Sequence, residues 1–391
     1  MKKEILIVGC GFAGSVLARR LAQEKDCKVT ILEKRGHIAG NMYDCYDRHG
    51  VLVHRYGPHI LVLNQRESFE FLSHFTQWTY YEHRVLADID GVQVPLPINF
   101  TSIGQLFSPH RAQQLQQLLL EQYGAGAQIP ILDLLRSSDP SIRDFAEFIY
   151  RKVFLDYTTK MWDLTPTQVD PSVTARIPVR LSYDSRHFQH RYQYMPREGY
   201  TQMFRRMLDH PNIQVHLHIN GVDHLQLKEG TVYLDGTPFA GQVIYTGAVD
   251  ELLGYRYGVL PYRSLQFQWE TWNRDFIQAS PVLNWPDKRP ATRRTEMKRL
   301  TQQEIAGVTT TLTEIPGAYH REDPVFSEPY YPIVNDACRE QYQKYVRDLQ
   351  SYPQLTLVGR LAQYRYFNME AALLQAFSVF DQLCQQRDSR N

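Results

Sequence analysis

The fold of this chain is decided by the stretch Ile5-Leu6-Ile7-Val8-Gly9-Cys10-Gly11-Phe12-Ala13-Gly14. An apolar run typical of a buried strand leads directly into a GxGxxG motif, and a helical pattern follows it. A second strand, Val29-Thr30-Ile31-Leu32, ends in Glu33, which stands about twenty residues after the last glycine, as this motif requires. This order of strand, glycine turn, helix, strand and acid predicts a Rossmann-like dinucleotide-binding unit.

Each residue of the motif has a physical role. Gly9 permits a tight turn, Gly11 lets the backbone approach a pyrophosphate, and Gly14 lets the helix pack closely on the strand. The phosphates would face free N–H groups at the helix N-terminus. Glu33 would accept hydrogen bonds from a ribose diol and would repel a 2′-phosphate. A glycine-rich turn that binds nothing is the alternative interpretation of the same residues.

Length and composition limit the remaining possibilities. A chain of 391 residues exceeds the size at which one core keeps growing, so we expect two or three domains. A formal net charge of +1 gives no reason to expect a nucleic acid partner. The 5 cysteines are odd in number and show no CxxC pair, which indicates a reducing, cytoplasmic location. No apolar run is long enough to span a membrane.

Hydrophobic periodicity along the chain predicts an α/β fold with a discontinuous Rossmann-like cofactor domain, an inserted helical domain and an antiparallel β-sheet domain. The final strand Leu355–Gly359 and the helix Met369–Gln386 are expected to close back onto the first domain. The predicted ranges are 1–80, 195–250 and 350–391 for the cofactor domain, 100–165 for the helical domain, and 81–99, 166–194 and 251–349 for the substrate-binding sheet.

Two clusters of residues carry a chemical signal. In the first, Tyr157-Thr158-Thr159-Lys160-Met161-Trp162 is followed by Arg176-Ile177-Pro178-Val179-Arg180. In the second, Arg293 precedes Glu328-Pro329-Tyr330-Tyr331-Pro332 and Gly359-Arg360-Leu361-Ala362-Gln363-Tyr364-Arg365-Tyr366. Arginines interleaved with tyrosines suit a diphosphate whose nucleoside stacks on an aromatic ring. The alternative is that each arginine pairs with a surface carboxylate.

These segments resemble the prokaryotic UDP-galactopyranose mutases, flavoenzymes that interconvert the pyranose and furanose forms of a nucleotide sugar. The likeness extends nearly end to end. Beside the glycine motif it includes His54-Arg55-Tyr56-Gly57-Pro58-His59, Tyr-Thr-x-Lys-x-Trp, Arg-Ile-Pro-Val-Arg, Glu-Pro-Tyr-Tyr-Pro and Gly-Arg-Leu-Ala-x-Tyr. The resemblance implies that the cofactor domain binds FAD, that only the reduced cofactor is active, and that the chain forms a homodimer in polysaccharide biosynthesis.

The resemblance also implies roles for individual residues. FAD would contact Gly9, Gly11, Phe12, Ala13, Gly14, Glu33, Lys34, Arg35, Gly40, Asn41, His59, Arg360 and Met369. The substrate would contact Tyr157, Met161, Trp162, Arg176, His187, Arg293, Tyr330, Tyr331, Tyr366 and Asn368. Arg176 and Arg293 would clamp the diphosphate and, with His59 and Tyr366, form the catalytic set. The flavin N5 would attack the anomeric carbon with no net redox change, and no metal is expected.

Four positions depart from the family pattern. Met161 stands where the family usually has Gln, and Asn368 where it usually has Asp. His187 replaces a tyrosine, and Val62 replaces the second histidine of a His-x-x-His. A thioether offers an adaptable apolar surface that suits a thymine methyl. Each change alone is compatible with neutral drift, whereas together they favour a dTDP-linked sugar, with dTDP-fucopyranose converted to dTDP-fucofuranose as the alternative to UDP-galactopyranose.

Two other classes of function remain open from the residues alone. An FAD-dependent amine or protoporphyrinogen-type oxidase would share the N-terminal pattern, but it would need an apolar substrate pocket. A non-enzymatic module that binds FAD or a nucleotide sugar is the other, and the presence of His59, Trp162, Arg176, Arg293 and Tyr366 argues against it.

Overall fold

The computed structural model describes residues 2–162 and 178–388. Its strands are β1 (Glu4–Val8), β2 (Lys28–Glu33), β3 (Asp44–Tyr46), β4 (Leu52–His54), β5 (Leu61–Leu63), β6 (Trp78–Tyr80), β7 (Val85–Ile89), β8 (Val92–Leu96), β9 (Gln128–Ile129), β10 (Val179–Arg180), β11 (Tyr192–Pro196), β12 (Ile213–Leu217), β13 (Leu225–Lys228), β14 (Thr231–Leu234), β15 (Thr237–Pro238), β16 (Gln242–Tyr245), β17 (Tyr262–Trp272), β18 (Val282–Asn284), β19 (Arg293–Glu296), β20 (Thr309–Ala318), β21 (Tyr331–Pro332) and β22 (Leu355–Leu357).

Helices connect these strands. The α-helices are Phe12–Lys25, Arg66–Ser73, Phe100–Leu106, Pro109–Tyr123, Ile131–Leu134, Pro140–Ile149, Asp156–Trp162, Tyr200–Leu208, Gly221–His224, Val249–Leu252, Met297–Thr301, Asp336–Leu349 and Met369–Asp388. Gly40–Met42 is a 3₁₀ turn, and Tyr150–Leu155 is a π-helical segment that leads into the helix Asp156–Trp162. Across the described residues, no helix is long and apolar enough to cross a membrane.

A five-stranded parallel sheet in the order β12-β2-β1-β16-β22 forms the cofactor domain. Its central strand β1 is buried from Ile5 to Val8, as expected where helices cover both faces of a parallel sheet. The first helix and the last helix, Phe12–Lys25 and Met369–Asp388, pack against each other. The sheet therefore combines segments from the start, the middle and the end of the chain, which confirms the predicted discontinuous α/β fold.

A seven-stranded sheet in the order β21-β17-β20-β19-β18-β7-β8 lies beside it. Its neighbours are antiparallel except for β18 and β7, which are parallel. Residues Asp90 and Gly91, with φ of 52° and 87°, form the predicted tight turn between β7 and β8. Arg293 begins β19 opposite Glu314 of β20, in the interior of this sheet.

The helices between Phe100 and Trp162 form the inserted helical module, whose core includes Leu115, Phe145 and Ile149. Asn99 caps the first of them with a capping box. Within 178–194, β10 pairs with β9 of the helical module, and β11 pairs with β5 and β6. The described residues 178–194, which were predicted to belong to the substrate-binding sheet, thus contribute no strand to the seven-stranded sheet, since β10 and β11 pair elsewhere.

Candidate active site

One long cavity brings together all thirteen residues that the sequence predicts for the cofactor. We call it the cofactor cavity. Its walls include Gly9, Gly11, Phe12, Ala13, Gly14, Glu33, Lys34, Arg35, Gly40, Asn41, His59, Arg360 and Met369. It lies outside the carboxyl ends of the parallel strands, where open α/β sheets bind ligands. Tyr330 and Asn368, predicted as substrate residues, also line it.

Two glycines of the cofactor cavity, Gly14 and Gly40, leave no room for side chains. A Cβ on Gly14 would lie 2.3 Å from the carbonyl oxygen of Gly9, and one on Gly40 would lie 2.8 Å from the Cα of Gly11. The helix Phe12–Lys25 begins at Gly11 without any side-chain cap. Its first N–H groups therefore face the cavity, where they are suited to hold phosphate oxygens.

Glu33 is buried at the end of β2 and is held in place by the backbone. One carboxylate oxygen, Oε2, accepts from the N–H of Cys10 at 2.7 Å, and Oε1 accepts from the N–H of Arg35 at 2.9 Å. A carboxylate oxygen has a second lone pair. Each oxygen can therefore still accept a hydrogen bond from a ribose hydroxyl in the cavity.

Two arginines in the cavity wall are positioned by their neighbours. Arg35 donates to Oδ1 of Asn41 at 2.9 Å and to Oε2 of Glu328 at 2.7 Å. Arg360 donates to the carbonyl oxygens of Tyr330 and Phe367 at 3.0 and 2.8 Å. Both guanidinium groups are thus pre-oriented before any ligand binds, which lowers the entropy cost of binding. Glu328 begins the motif Glu-Pro-Tyr-Tyr-Pro, but the sequence analysis assigned it no role.

His59 is neutral in this environment. Burial, together with the neighbouring His54, Arg360 and Arg293, lowers its pKa to about 3, although the hydrogen bond with Gly57 acts in the opposite direction. Its Nδ1 lies 2.9 Å from the carbonyl oxygen of Gly57, and a carbonyl can only accept. We therefore assign the proton to Nδ1, which leaves Nε2 as an acceptor. The N–H of His59 donates to Nδ1 of the buried His54 at 3.1 Å, and this bond holds the loop in place.

Aromatic rings and arginines from distant segments converge beside the cavity, and we call this group the aromatic–arginine cluster. It consists of Tyr157, Trp162, Arg293, Tyr331 and Tyr366. The rings of Tyr331 and Tyr366 are stacked with centroids 6.0 Å apart, and Trp162 lies 6.0 Å from Tyr331. Arg360 lies over the rings of Tyr331 and Tyr366, at 5.4 and 5.1 Å from their centroids. Arg360 therefore joins the cluster to the cofactor cavity.

Arg293 is held by a buried carboxylate. Its Nη2 lies 2.9 Å from Oε2 of Glu314, whose side chain is 1% exposed while that of Arg293 is 27% exposed. Burial alone would lower the pKa of Arg293, but the charge of Glu314 raises it overall. The guanidinium is thus a permanent positive charge that keeps an open side. Sequence reasoning missed Glu314, although a carboxylate within the mainly β-branched stretch 309–315 was a signal for a partner across the sheet.

Two buried histidines lie near Arg293. His187, predicted as a substrate residue, has a pKa lowered to about 4 by burial, and its Nδ1 donates to the carbonyl oxygen of Leu96 at 3.2 Å. Its ring centroid lies 5.6 Å from that of His83. Burial also lowers the pKa of His83, and its Nδ1 pairs with the hydroxyl of Tyr81 at 3.0 Å. Nothing in the spacing of the sequence pointed to His83.

The remaining predicted residues are placed as follows. Met161 is partly exposed at the end of the helix Asp156–Trp162, one turn after Tyr157 and on the same face. Asn368 caps the helix Met369–Asp388, since its Oδ1 accepts from the N–H of Ala371 at 2.8 Å. Val62 is buried within β5. Arg176 lies outside the described residues.

Over 2–162 and 178–388, no group of three or more histidine, cysteine, aspartate or glutamate side chains could hold a metal.

The fold and this cavity define a dinucleotide-binding α/β protein with a second, side-chain-lined site beside the cofactor cavity. A family model described as an NAD(P)-binding Rossmann-like domain matches residues 7–75, and the model for UDP-galactopyranose mutase matches residues 152–366. The chain is 33% identical to a UDP-galactopyranose mutase of Mycoplasma pneumoniae over 98% of its length and 97% of that protein.

The chain belongs to the UDP-galactopyranose mutase family, and it is accordingly an isomerase of the mutase class. It is also 32% identical to a dTDP-fucopyranose mutase of Escherichia coli, over 95% of this chain and 96% of that one. The crystal structure of a reduced UDP-galactopyranose mutase shares the fold, with a TM-score of 0.71, 15% identity, and coverage of 98% and 96% of the two chains. Family membership confirms the resemblance drawn from the motifs.

Proposed function

We propose that this chain is an FAD-dependent mutase that interconverts UDP-galactopyranose and UDP-galactofuranose. The observation that carries the proposal is the contact of Arg360 with both halves of the site. Its guanidinium lines the cofactor cavity and also lies over the rings of Tyr331 and Tyr366. A flavin ring that reached Arg360 would therefore lie beside a substrate held by the aromatic–arginine cluster.

FAD fits the residues of the cofactor cavity. The uncapped helix N-terminus and the close backbone packing at Gly14 and Gly40 suit a pyrophosphate, and Glu33 suits the ribose of the adenosine half. His59 and Arg360, which also line the cavity, would contact the ring system. When bound and reduced, FAD would supply a nucleophilic nitrogen, N5, for the anomeric carbon of the sugar.

The arginines of the site would hold the nucleoside diphosphate while its bond to the sugar is broken and remade. Arg293 carries a fixed charge with an open side, and Arg176 is its proposed partner. Charge develops on the departing phosphate oxygen, so a pre-oriented cation there stabilises the transition state by about 3 kcal/mol in comparable sites. The hydroxyls of Tyr331 and Tyr366 would donate to the same phosphates, and neutral His59 would offer its Nε2 as an acceptor.

Tyr157 would stack on the base, with Met161 beside it on the same helical face. This arrangement supports a second candidate substrate, dTDP-fucopyranose, because a thioether packs well against a thymine methyl but cannot replace the hydrogen bonds of an amide. His187 and Asn368 add two further departures near the site. The identities of 33% and 32% to relatives of the two kinds do not separate the candidates.

The proposal is tested by incubating the dithionite-reduced protein with each sugar separately and following furanose formation by chromatography. Turnover of UDP-galactopyranose by the reduced protein, with none by the oxidised protein, is the expected result. Turnover of dTDP-fucopyranose alone would replace the first candidate with the second. Bleaching of the flavin by an amine, without added reductant and without furanose formation, would instead reveal an oxidase.

A further inference from the structure

Lys160 occupies an unusual cradle of backbone carbonyls. Its Nζ lies 2.5, 2.9, 3.0 and 2.8 Å from the carbonyl oxygens of Trp285, Asp287, Arg289 and Ala291, respectively. An ammonium has only three protons to donate, whereas four carbonyl oxygens converge on Nζ. The arrangement therefore resembles the coordination of a bound cation. Burial lowers the pKa of Lys160 to about 8, which leaves the charged form dominant at neutral pH.

The cradle connects two parts of the proposed substrate site. Lys160 belongs to the helix Asp156–Trp162, which carries Tyr157 and Trp162. The four carbonyls belong to the segment 285–291, which joins the end of β18 directly to Arg293 at the start of β19. The lysine therefore links the helix that would stack on the base to the segment leading into the strand that would hold the diphosphate.

A second cation fixes the end of the same helix. Arg263 of β17 donates from Nε to the carbonyl oxygen of Met161 at 2.9 Å and from Nη2 to that of Lys160 at 3.0 Å. Arg263 thus holds the helix against the seven-stranded sheet, while Lys160 holds it against the segment that leads into Arg293.

We propose that Lys160 is a positioning residue that sets the distance between Tyr157 and Arg293, so that base and diphosphate are bound by one rigid unit. The inference rests on the proposed function, in which these two residues take the two ends of the nucleotide. Lysine suits this role because its compact ammonium can face four converging oxygens, whereas the planar fork of an arginine cannot.

The test compares Lys160→Met with Lys152→Met. Lys152 lies in the preceding helical segment and bonds the exposed carboxylate of Asp90 at 2.9 Å, so it serves as a matched control. Binding of UDP, uridine and pyrophosphate is measured by titration, and turnover by the reduced enzyme is measured in parallel.

In Lys160→Met the affinity for UDP is expected to fall by about tenfold to a hundredfold, because the gain from holding two linked groups at once is lost. Uridine alone and pyrophosphate alone should bind Lys160→Met as tightly as they bind the wild type. In turnover, the KM of Lys160→Met should rise by a larger factor than its kcat falls.

Chemical rescue gives an independent readout. Lys160→Ala leaves the four carbonyls facing an opening, and methylammonium is expected to restore UDP affinity in this variant but not in Lys160→Met. This arm also keeps the proposal falsifiable if Lys160→Met fails to fold, because in that case the absence of rescue in Lys160→Ala overturns it.

Three results contradict the inference. Unchanged UDP affinity in Lys160→Met would show that the cradle does not couple the two ends. An equal loss for UDP, uridine and pyrophosphate would show a general structural role. A wild-type protein that does not bind UDP or dTDP would remove both the inference and the proposed function. A wild-type protein that binds UDP without turning over either sugar would overturn the proposed function alone, since the coupling of the two ends is still read from binding.

Discussion

The cofactor cavity and the aromatic–arginine cluster lie side by side but are built in different ways. The phosphate end of the cavity is made of backbone, from glycines and free N–H groups within one contiguous stretch, 9–14, together with Gly40. The cluster is made of side chains from four separate segments: the helix Asp156–Trp162, β19, β21 and the loop before the last helix. Binding in the cofactor cavity should therefore be sensitive to added side-chain volume. Binding in the aromatic–arginine cluster should be sensitive to the loss of a charge or of an aromatic ring.

The largest expected effect is in the cavity. Gly14→Ala places a Cβ 2.3 Å from the backbone oxygen of Gly9, so the helix must move away from β1 and the phosphate N–H groups move with it. We expect loss of bound FAD, measured by the ratio of absorbance at the flavin and protein bands, and a loss of stability of about 1–3 kcal/mol from overpacking.

Gly104→Ala is the matched control, because Gly104 is also helical but has no atom within 4 Å of its Cβ position. Alanine is a better helix former than glycine, so this variant should gain up to about 1 kcal/mol and keep its FAD. Equal FAD content in the two variants would show that the motif does not approach the cofactor.

The second effect tests the cluster. Arg293→Ala is expected to lower kcat by about 100-fold or more, because a pre-oriented donor to the developing charge is removed. It should leave the FAD spectrum unchanged, in contrast to Gly14→Ala. It also leaves Glu314 buried without its charge partner, at a cost of about 3 kcal/mol in the free energy of unfolding.

Two variants separate activity from stability at Arg293. Arg294→Ala changes the next residue of β19, whose side chain points to the opposite face and donates to Gln278, and it should retain turnover. Arg293→Ala combined with Glu314→Gln should regain stability without regaining activity. Recovery of turnover in the double variant would show that folding, and not diphosphate binding, was lost.

This contrast explains how far the sequence could predict the molecule. The fold class follows from Gly9 to Gly14 and Glu33 because the determinants of a backbone site are contiguous and their spacing has a physical meaning. The pattern of arginines and tyrosines drew attention to Tyr157, Arg293 and Tyr366, but their individual roles came only from resemblance to a family, since no spacing rule links such distant segments. Glu314 and His83 were missed because a side chain that supports another across a sheet is recognised only once strand pairing is known.

The preference for one nucleotide base over another is expected to change less when Met161 is replaced than activity changes in Arg293→Ala. Met161→Gln restores an amide that can hydrogen-bond a base, so the ratio of kcat/KM for the UDP sugar to that for the dTDP sugar should rise by about tenfold, or about 1.4 kcal/mol. Met161→Leu, which keeps the apolar surface, should leave the ratio unchanged. The same ratio in all three proteins would mean that Met161 does not contact the base, and the dTDP candidate would lose its main support.

The smallest effect is expected where the cavity meets the last helix. Asn368 caps Met369–Asp388 by accepting from the N–H of Ala371, and aspartate can do the same while its charge also favours the helix N-terminus. Asn368→Asp should therefore raise the stability by a few tenths of a kcal/mol, and Asn368→Ala should lower it by about 1 kcal/mol. Because the side chain is used by the helix, turnover in Asn368→Asp should change little, and thermal unfolding should order the proteins as Asp, Asn, Ala. A large change in turnover with no change in melting temperature would instead move Asn368 from the cap to the substrate.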